Sequence, residues 1–150
     1  MDKFDYMKIA LEEARKAAEA DEVPVGAIIV RNGEIIAKCG NRKERDNCAV
    51  SHAEILAITE AAKTVGNWYL DECELYVTLE PCIMCAGAIV NSRLKAVYFG
   101  AYDLKSGALG SVYDVINDKK LNHFCYVEGG VLREECGGIL SEFFKKKRLK

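Results

Sequence analysis

The chain has 150 residues, a formal net charge of −2 and a pI near 5.8. Half of its residues are hydrophobic, which excludes a disordered chain, and its slight acidity argues against a protein that coats nucleic acid electrostatically. No run approaches the roughly 20 apolar residues of a membrane span, and Asp5, Glu12, Glu13 and Glu19 are spread through what a secretory signal would need apolar. The expectation is one soluble cytoplasmic domain, residues 1–150, with one sizeable core. Of seven cysteines, Cys39, Cys48, Cys73, Cys125 and Cys136 stand singly, as core thiols in a reducing compartment do.

Helix and strand patterns alternate along the chain. Phe4, Met7, Leu11, Ala14 and Ala18 mark one face of an amphipathic helix. Val23 to Val30 reads as a strand, Asn32-Gly33 as a hairpin turn and Ile35 to Cys39 as the returning strand. A second helix opens at Ser51. Glu74 to Leu79 is a strand, and Pro81, suited to a first helical turn, begins a helix running to about Asn91. Lys95 to Gly100 is a strand, Ala101 to Ser111 a loop, Val112 to Ile116 a short helix, Phe124 to Val127 a strand and Val131 to Lys147 a final helix. This order predicts an α/β sheet with helices on its faces, mixed because the first pair is antiparallel. Functional groups should gather where helices begin at strand ends.

Two segments carry chemistry. Ser51-His52-Ala53-Glu54 fits a capping box. Cys82-x-x-Cys85 fits a redox dithiol, half of a structural zinc site or two buried thiols. Taken together they say more. Residues three apart share a helix face, so both thiols can grip one ion, and His52 supplies a third ligand. Three protein ligands leave the fourth position of zinc open, the catalytic arrangement. Zinc lowers the pKa of a bound water to about 7, and Glu54 is placed to take the water's proton and deliver it to a substrate. The order His52-x-Glu54, then Pro81-Cys82-x-x-Cys85, is the known signature of the zinc nucleobase deaminases, matched here at every position.

Over nearly its whole length the chain also resembles the bacterial tRNA-specific adenosine deaminases. The resemblance rests on Pro24-Val25-Gly26-Ala27, His52-Ala53-Glu54-Ile55, Leu79-Glu80-Pro81-Cys82, Met84-Cys85-Ala86-Gly87-Ala88-Ile89, Asn91-Ser92-Arg93, Asn122-His123, Gly129-Gly130-Val131-Leu132 and Glu135-Cys136. It implies a three-layer α/β/α cytidine-deaminase-like fold with a mixed sheet of about five strands, one Zn²⁺ per subunit and a homodimer. The substrate it implies is the wobble adenosine of the arginine tRNA with anticodon ACG, flipped into the pocket and converted to inosine by attack at C6 with a Glu54 proton shuttle. Asn41, Ala53, Pro81, Asp103, Lys105 and Ser106 fall on substrate-binding positions of the family. From the residues alone, Asn41 also fits a Gly-Asn turn and Asp103 to Ser106 plain loop polarity. Phe144 reads as a core-facing helical aromatic before it reads as a surface that stacks near a base, and the basic run from Lys145 to Lys150 as either a solvated helix end or an RNA contact.

The chain departs from the family where Cys48-Ala49-Val50-Ser51 replaces the usual Asp-Pro-Thr-Ala, close to the expected pocket, and where Ile83 replaces proline between the cysteines. The first departure and the net acidity favour a rival, a deaminase of a free base or nucleoside of the guanine, cytosine or adenine type. A second rival is a non-catalytic zinc or redox module, which needs no carboxylate like Glu54 and would bring a fourth protein ligand.

Overall fold

The computed structural model describes residues 1–118, 121 and 123–149. Asn122 of the Asn122-His123 pair and Lys150 of the basic run lie outside them. The elements run α1 (Lys3–Glu19), β1 (Gly26–Arg31), β2 (Glu34–Gly40), α2 (Ala53–Val65), β3 (Cys73–Leu79), α3 (Ile83–Asn91), β4 (Ala96–Ala101), β5 (Tyr126–Glu128) and α4 (Arg133–Arg148). They form the expected three layers around a mixed five-stranded sheet of order β2-β1-β3-β4-β5. β1 is antiparallel to both β2 and β3, and β3, β4 and β5 are parallel.

Alternation along the central strands sorts the core into two halves. Ala27 and Ile29 of β1, with Leu75 and Val77 of β3, pack against Ala53, Ala57, Ala61, Ala86 and Ile89 of α2 and α3. Ile28, Val30 and Tyr76 face the other way, against Tyr6, Met7, Ala10 and Leu11 of α1 and Cys136 of α4. The α1 stripe is therefore centred where the periodicity put Met7, Leu11 and Ala14, but Phe4 is exposed and Tyr6, Ala10 and Ala17 are buried in its place. Gly26 lets β1 and α1 meet, because a Cβ there would stand 2.0 Å from the Ala10 carbonyl oxygen. The hairpin turn is as expected: Asn32 and Gly33 both have positive φ, 48° and 81°, the pattern of a type I′ turn.

Three expectations are corrected. Residues 112–116 form no helix. The Val112 and Tyr113 amides turn back to the Gly107 carbonyl, and Leu109 bridges Asp114, so turn and bridge bonds take the place of helical ones. The last strand starts at Tyr126, and Phe124 stays 74% exposed outside it. Ser51 does not cap α2: His52 holds the cap position without a side-chain cap bond, and Glu54 turns inward. His123, half-buried, meets the Leu94 carbonyl through Nε2 at 2.6 Å, tying the approach to β5 onto the turn before β4.

Candidate active site

Two helices begin side by side at one end of the sheet. The chain leaves β2, loops through residues 41–51 and enters α2 at His52, while β3 leads through Glu80 and Pro81 into α3 at Cys82. Cys82 is the cap residue of α3 and Cys85 lies one turn in, so both sulfurs face the same side. His52, thirty residues earlier, meets them through Nδ1, 3.8 Å from Cys82 Sγ and 3.6 Å from Cys85 Sγ. The three ligand atoms lie within 4.8 Å of one another.

The electrostatics suit a cation. The two thiols divide a proton between them. Cys82, receiving hydrogen bonds from Cys85 and His52, is pulled down to about 3, and Cys85, bonded to that sulfur and buried, is pushed up. The hydrogen bond to Cys82, aided by the nearby Glu54 carboxyl, raises His52 against the effect of burial. One imidazole and two sulfurs with concentrated negative charge fit zinc, which is bound by such N and S donors. Among the described residues no other His, Cys, Asp and Glu group gathers in this way.

Glu54, on the first turn of α2, is only 4% exposed. Burial pushes its carboxyl up to about 7, against the opposing pull of its own backbone N–H and of His52. A carboxyl there changes protonation near neutrality, which is what proton transfer at neutral pH requires.

The pocket over this corner encloses about 210 Å³ and is lined by His52, Ala53, Glu54 and Cys82, by Asn41, and by Asp103 and Ser106. Of the site residues singled out in the sequence, Cys85, Pro81 and Lys105 do not line it, Cys85 lying buried behind Cys82. Pro81 is buried beneath, its carbonyl accepting the Ala108 amide at 2.9 Å, and Lys105 is exposed. Asn41 is partly committed already: its Nδ2 donates to the Val23 carbonyl at 3.3 Å and its Oδ1 accepts the Lys43 amide at 3.1 Å. Asp103 closes a small turn, accepting the amides of Lys105 and Ser106 and the Ser106 hydroxyl.

Val23, Val25, Lys43, Leu79 and Glu80 also line the pocket and were given no site role from the sequence. A second cleft, about 670 Å³, opens alongside and shares Val23, Asn41 and Lys43 with the first. Its far side is formed by Phe143, Phe144 and Lys147 of α4. Phe144, expected in the core, is 43% exposed there. Glu22 was also missed. Fully buried, it accepts the backbone amides of Glu44 and Arg45 and pairs with the Arg45 guanidinium at 3.1 Å, fixing the loop that carries Asn41. The signal was available: Glu22 is a charge set directly before an apolar run.

The family model of the MafB19-like deaminases matches residues 1–148. A tRNA-specific adenosine deaminase of Bacillus subtilis is 52% identical over 145 residues, covering 97% of this chain and 90% of the relative. The chain belongs to this deaminase family. A solved structure from work on A-to-I editing by tRNA:A34 deaminases at the wobble position has a TM-score of 0.88 and 43% identity, covering 91% of this chain and 99% of the other. The three-layer architecture is thus the cytidine-deaminase-like fold. A guanine deaminase from Bacillus subtilis is similar at a TM-score of 0.67 and 37% identity, covering 77% and 74% of the two chains. This deaminase chain therefore shares its architecture with a structure from work on tRNA deaminases and with a guanine deaminase.

Proposed function

We propose that this chain deaminates adenosine to inosine at the wobble position of a tRNA anticodon, that of the arginine tRNA with anticodon ACG, with one zinc ion held by His52, Cys82 and Cys85. The observation that carries the RNA reading is the 670 Å³ cleft beside the 210 Å³ pocket, with Phe143 and Phe144 as stacking surfaces and Lys43 where the two meet; the other cations of the cleft, Arg45 and Lys147, pair with Glu22 and Asp21. A free base needs one enclosed pocket. A flipped base with its neighbours needs a pocket and a groove, with aromatic faces and positive charge along it. The identity to tRNA-specific relatives supports the same reading.

Zinc, when bound, supplies an acidified water at neutral pH. The chain's own residues do the rest. Asn41, Ala53, Asp103 and Ser106 hold the base with C6 over the metal corner. Glu54 takes a proton from the water as it adds at C6 and carries it to ring N1, then moves the proton of the new C6 hydroxyl to the amino group, so that the C–N bond breaks, C6 becomes a carbonyl and ammonia leaves. Lys105, exposed beside the pocket, is assigned to the RNA backbone. The same reading includes a homodimer and a cytoplasmic location; among the described residues no helix is long and apolar enough to cross a membrane.

The test is inosine formation by the zinc-loaded protein on an anticodon stem-loop bearing A-C-G, with free adenosine, guanine and cytosine in parallel. Inosine at the wobble position alone is the expected result. Ammonia released only from a free base or nucleoside would overturn the substrate while leaving the metal corner and Glu54 in their roles, and the likeness to a guanine deaminase makes guanine the base to watch.

A further inference from the structure

Glu80 stands two residues before Cys82 and is 2% exposed. Both of its oxygens are used. Oε1 accepts the Asp103 amide at 3.1 Å and Oε2 accepts the amides of Leu109 and Ser111, each at 3.0 Å. The Ser111 hydroxyl donates to Oε1 as well. These donors come from the start and the far end of one loop, so a single carboxylate closes it. The fit is tight: a Cβ on Gly107 would stand 2.4 Å from Glu80 Cδ and 2.5 Å from the Asp103 carbonyl oxygen. Asp103 and Ser106, which line the pocket, hang from the loop so closed.

We infer that Glu80 is a positioning residue, which fixes Asp103 and Ser106 against the substrate by holding the 103–111 loop; this rests on the pocket being the RNA deamination site. Glutamine at this position keeps the volume and one acceptor oxygen. It turns an amide NH₂ toward N–H donors, so at least one tie is lost and a donor is left facing a donor.

The experiment compares wild type, Glu80→Gln and Gly107→Ala as zinc-loaded full chains. Gly107→Ala drives a methyl group against the Glu80 carboxyl and the Asp103 carbonyl, so it displaces the loop from the carboxylate while leaving the carboxylate's own chemistry unchanged. Three quantities are read: hydrogen exchange of the Asp103, Leu109 and Ser111 amides, kcat and KM on the A-C-G stem-loop, and zinc content. Both variants should exchange these amides at least about tenfold faster and raise KM about tenfold, with kcat within about threefold and zinc content unchanged. Unchanged exchange and KM in Glu80→Gln would overturn the inference. So would a loss of zinc with a fall in kcat, since Glu80 would then act through Cys82. If the wild type is inert on RNA, the reading of function fails, and the exchange measurement alone decides whether Glu80 holds the loop.

Discussion

His52, Glu54, Cys82 and Cys85 stand at the starts of two helices packed on the sheet, whereas Asn41, Asp103 and Ser106 stand on loops. The helix starts need no further support: Ala53, Ala57, Ala86 and Ile89 bury both helices against β1 and β3 and so fix the corner where His52, Cys82 and Cys85 meet. The loops bury less, Ala108 and Leu109 being the part of the second that enters the core, and each is tied by a buried carboxylate, Glu22 for residues 44–45 and Glu80 for 103–111. The difference teaches where the tolerance lies. The corner proposed to perform the chemistry is held by packing, while the wall proposed to contact the substrate leans on a few hydrogen bonds and can be altered without dismantling the corner.

The largest effect should come from the corner. Cys85→Ala should abolish both bound zinc and turnover, since two ligands hold a catalytic zinc poorly; stoichiometric zinc retained in metal analysis would contradict the ligand set. Glu54→Gln should cut single-turnover inosine formation by about 10²- to 10⁴-fold while zinc content stays at the wild-type level, and undiminished turnover would sink the proton-shuttle role.

Smaller effects should come from the wall. Asp103→Ala unties the turn that presents Ser106 and should raise KM on the stem-loop about tenfold with kcat nearly unchanged. Lys105→Ala, at an exposed position outside the pocket, should change KM by less than about threefold. A fall in kcat larger than the rise in KM for Asp103→Ala would erase the distinction between wall and corner.

The smallest effect concerns pH and the other loop anchor. Burial acts to raise the Glu22 carboxyl, but the amides of Arg45 and Glu44 and the Arg45 guanidinium outweigh it, so the value is held below the usual 4.5. A depressed carboxylate contributes stability above its unfolded pKa and loses it as pH falls through the folded value. Glu22→Gln should therefore be less stable than wild type by about 2 kcal/mol at pH 7, and the gap in urea midpoint should close below about pH 4. A gap that stays constant down to pH 3 would show that the carboxylate's charge is not what holds the loop.

The amino-acid sequence by itself determined what depends on near neighbours. Alternation gave the strands, Asn32-Gly33 the hairpin, the 3.6-residue period most of the buried stripe of α1, and the cysteine spacing a shared helix face. The signature and the resemblance pointed to the whole metal corner, because those residue types in that order answer to one chemistry. What only the tertiary structure decided depends on groups far apart in the chain. The meeting of His52 with Cys82 and Cys85, the inward turn of Glu54 away from a cap, and the exposure of Phe144 beside a cleft rather than in the core were fixed by packing between layers. Glu22 and Glu80 became loop anchors because a buried carboxylate must find donors wherever the fold brings them, and those donors are mostly backbone amides that no side-chain pattern records.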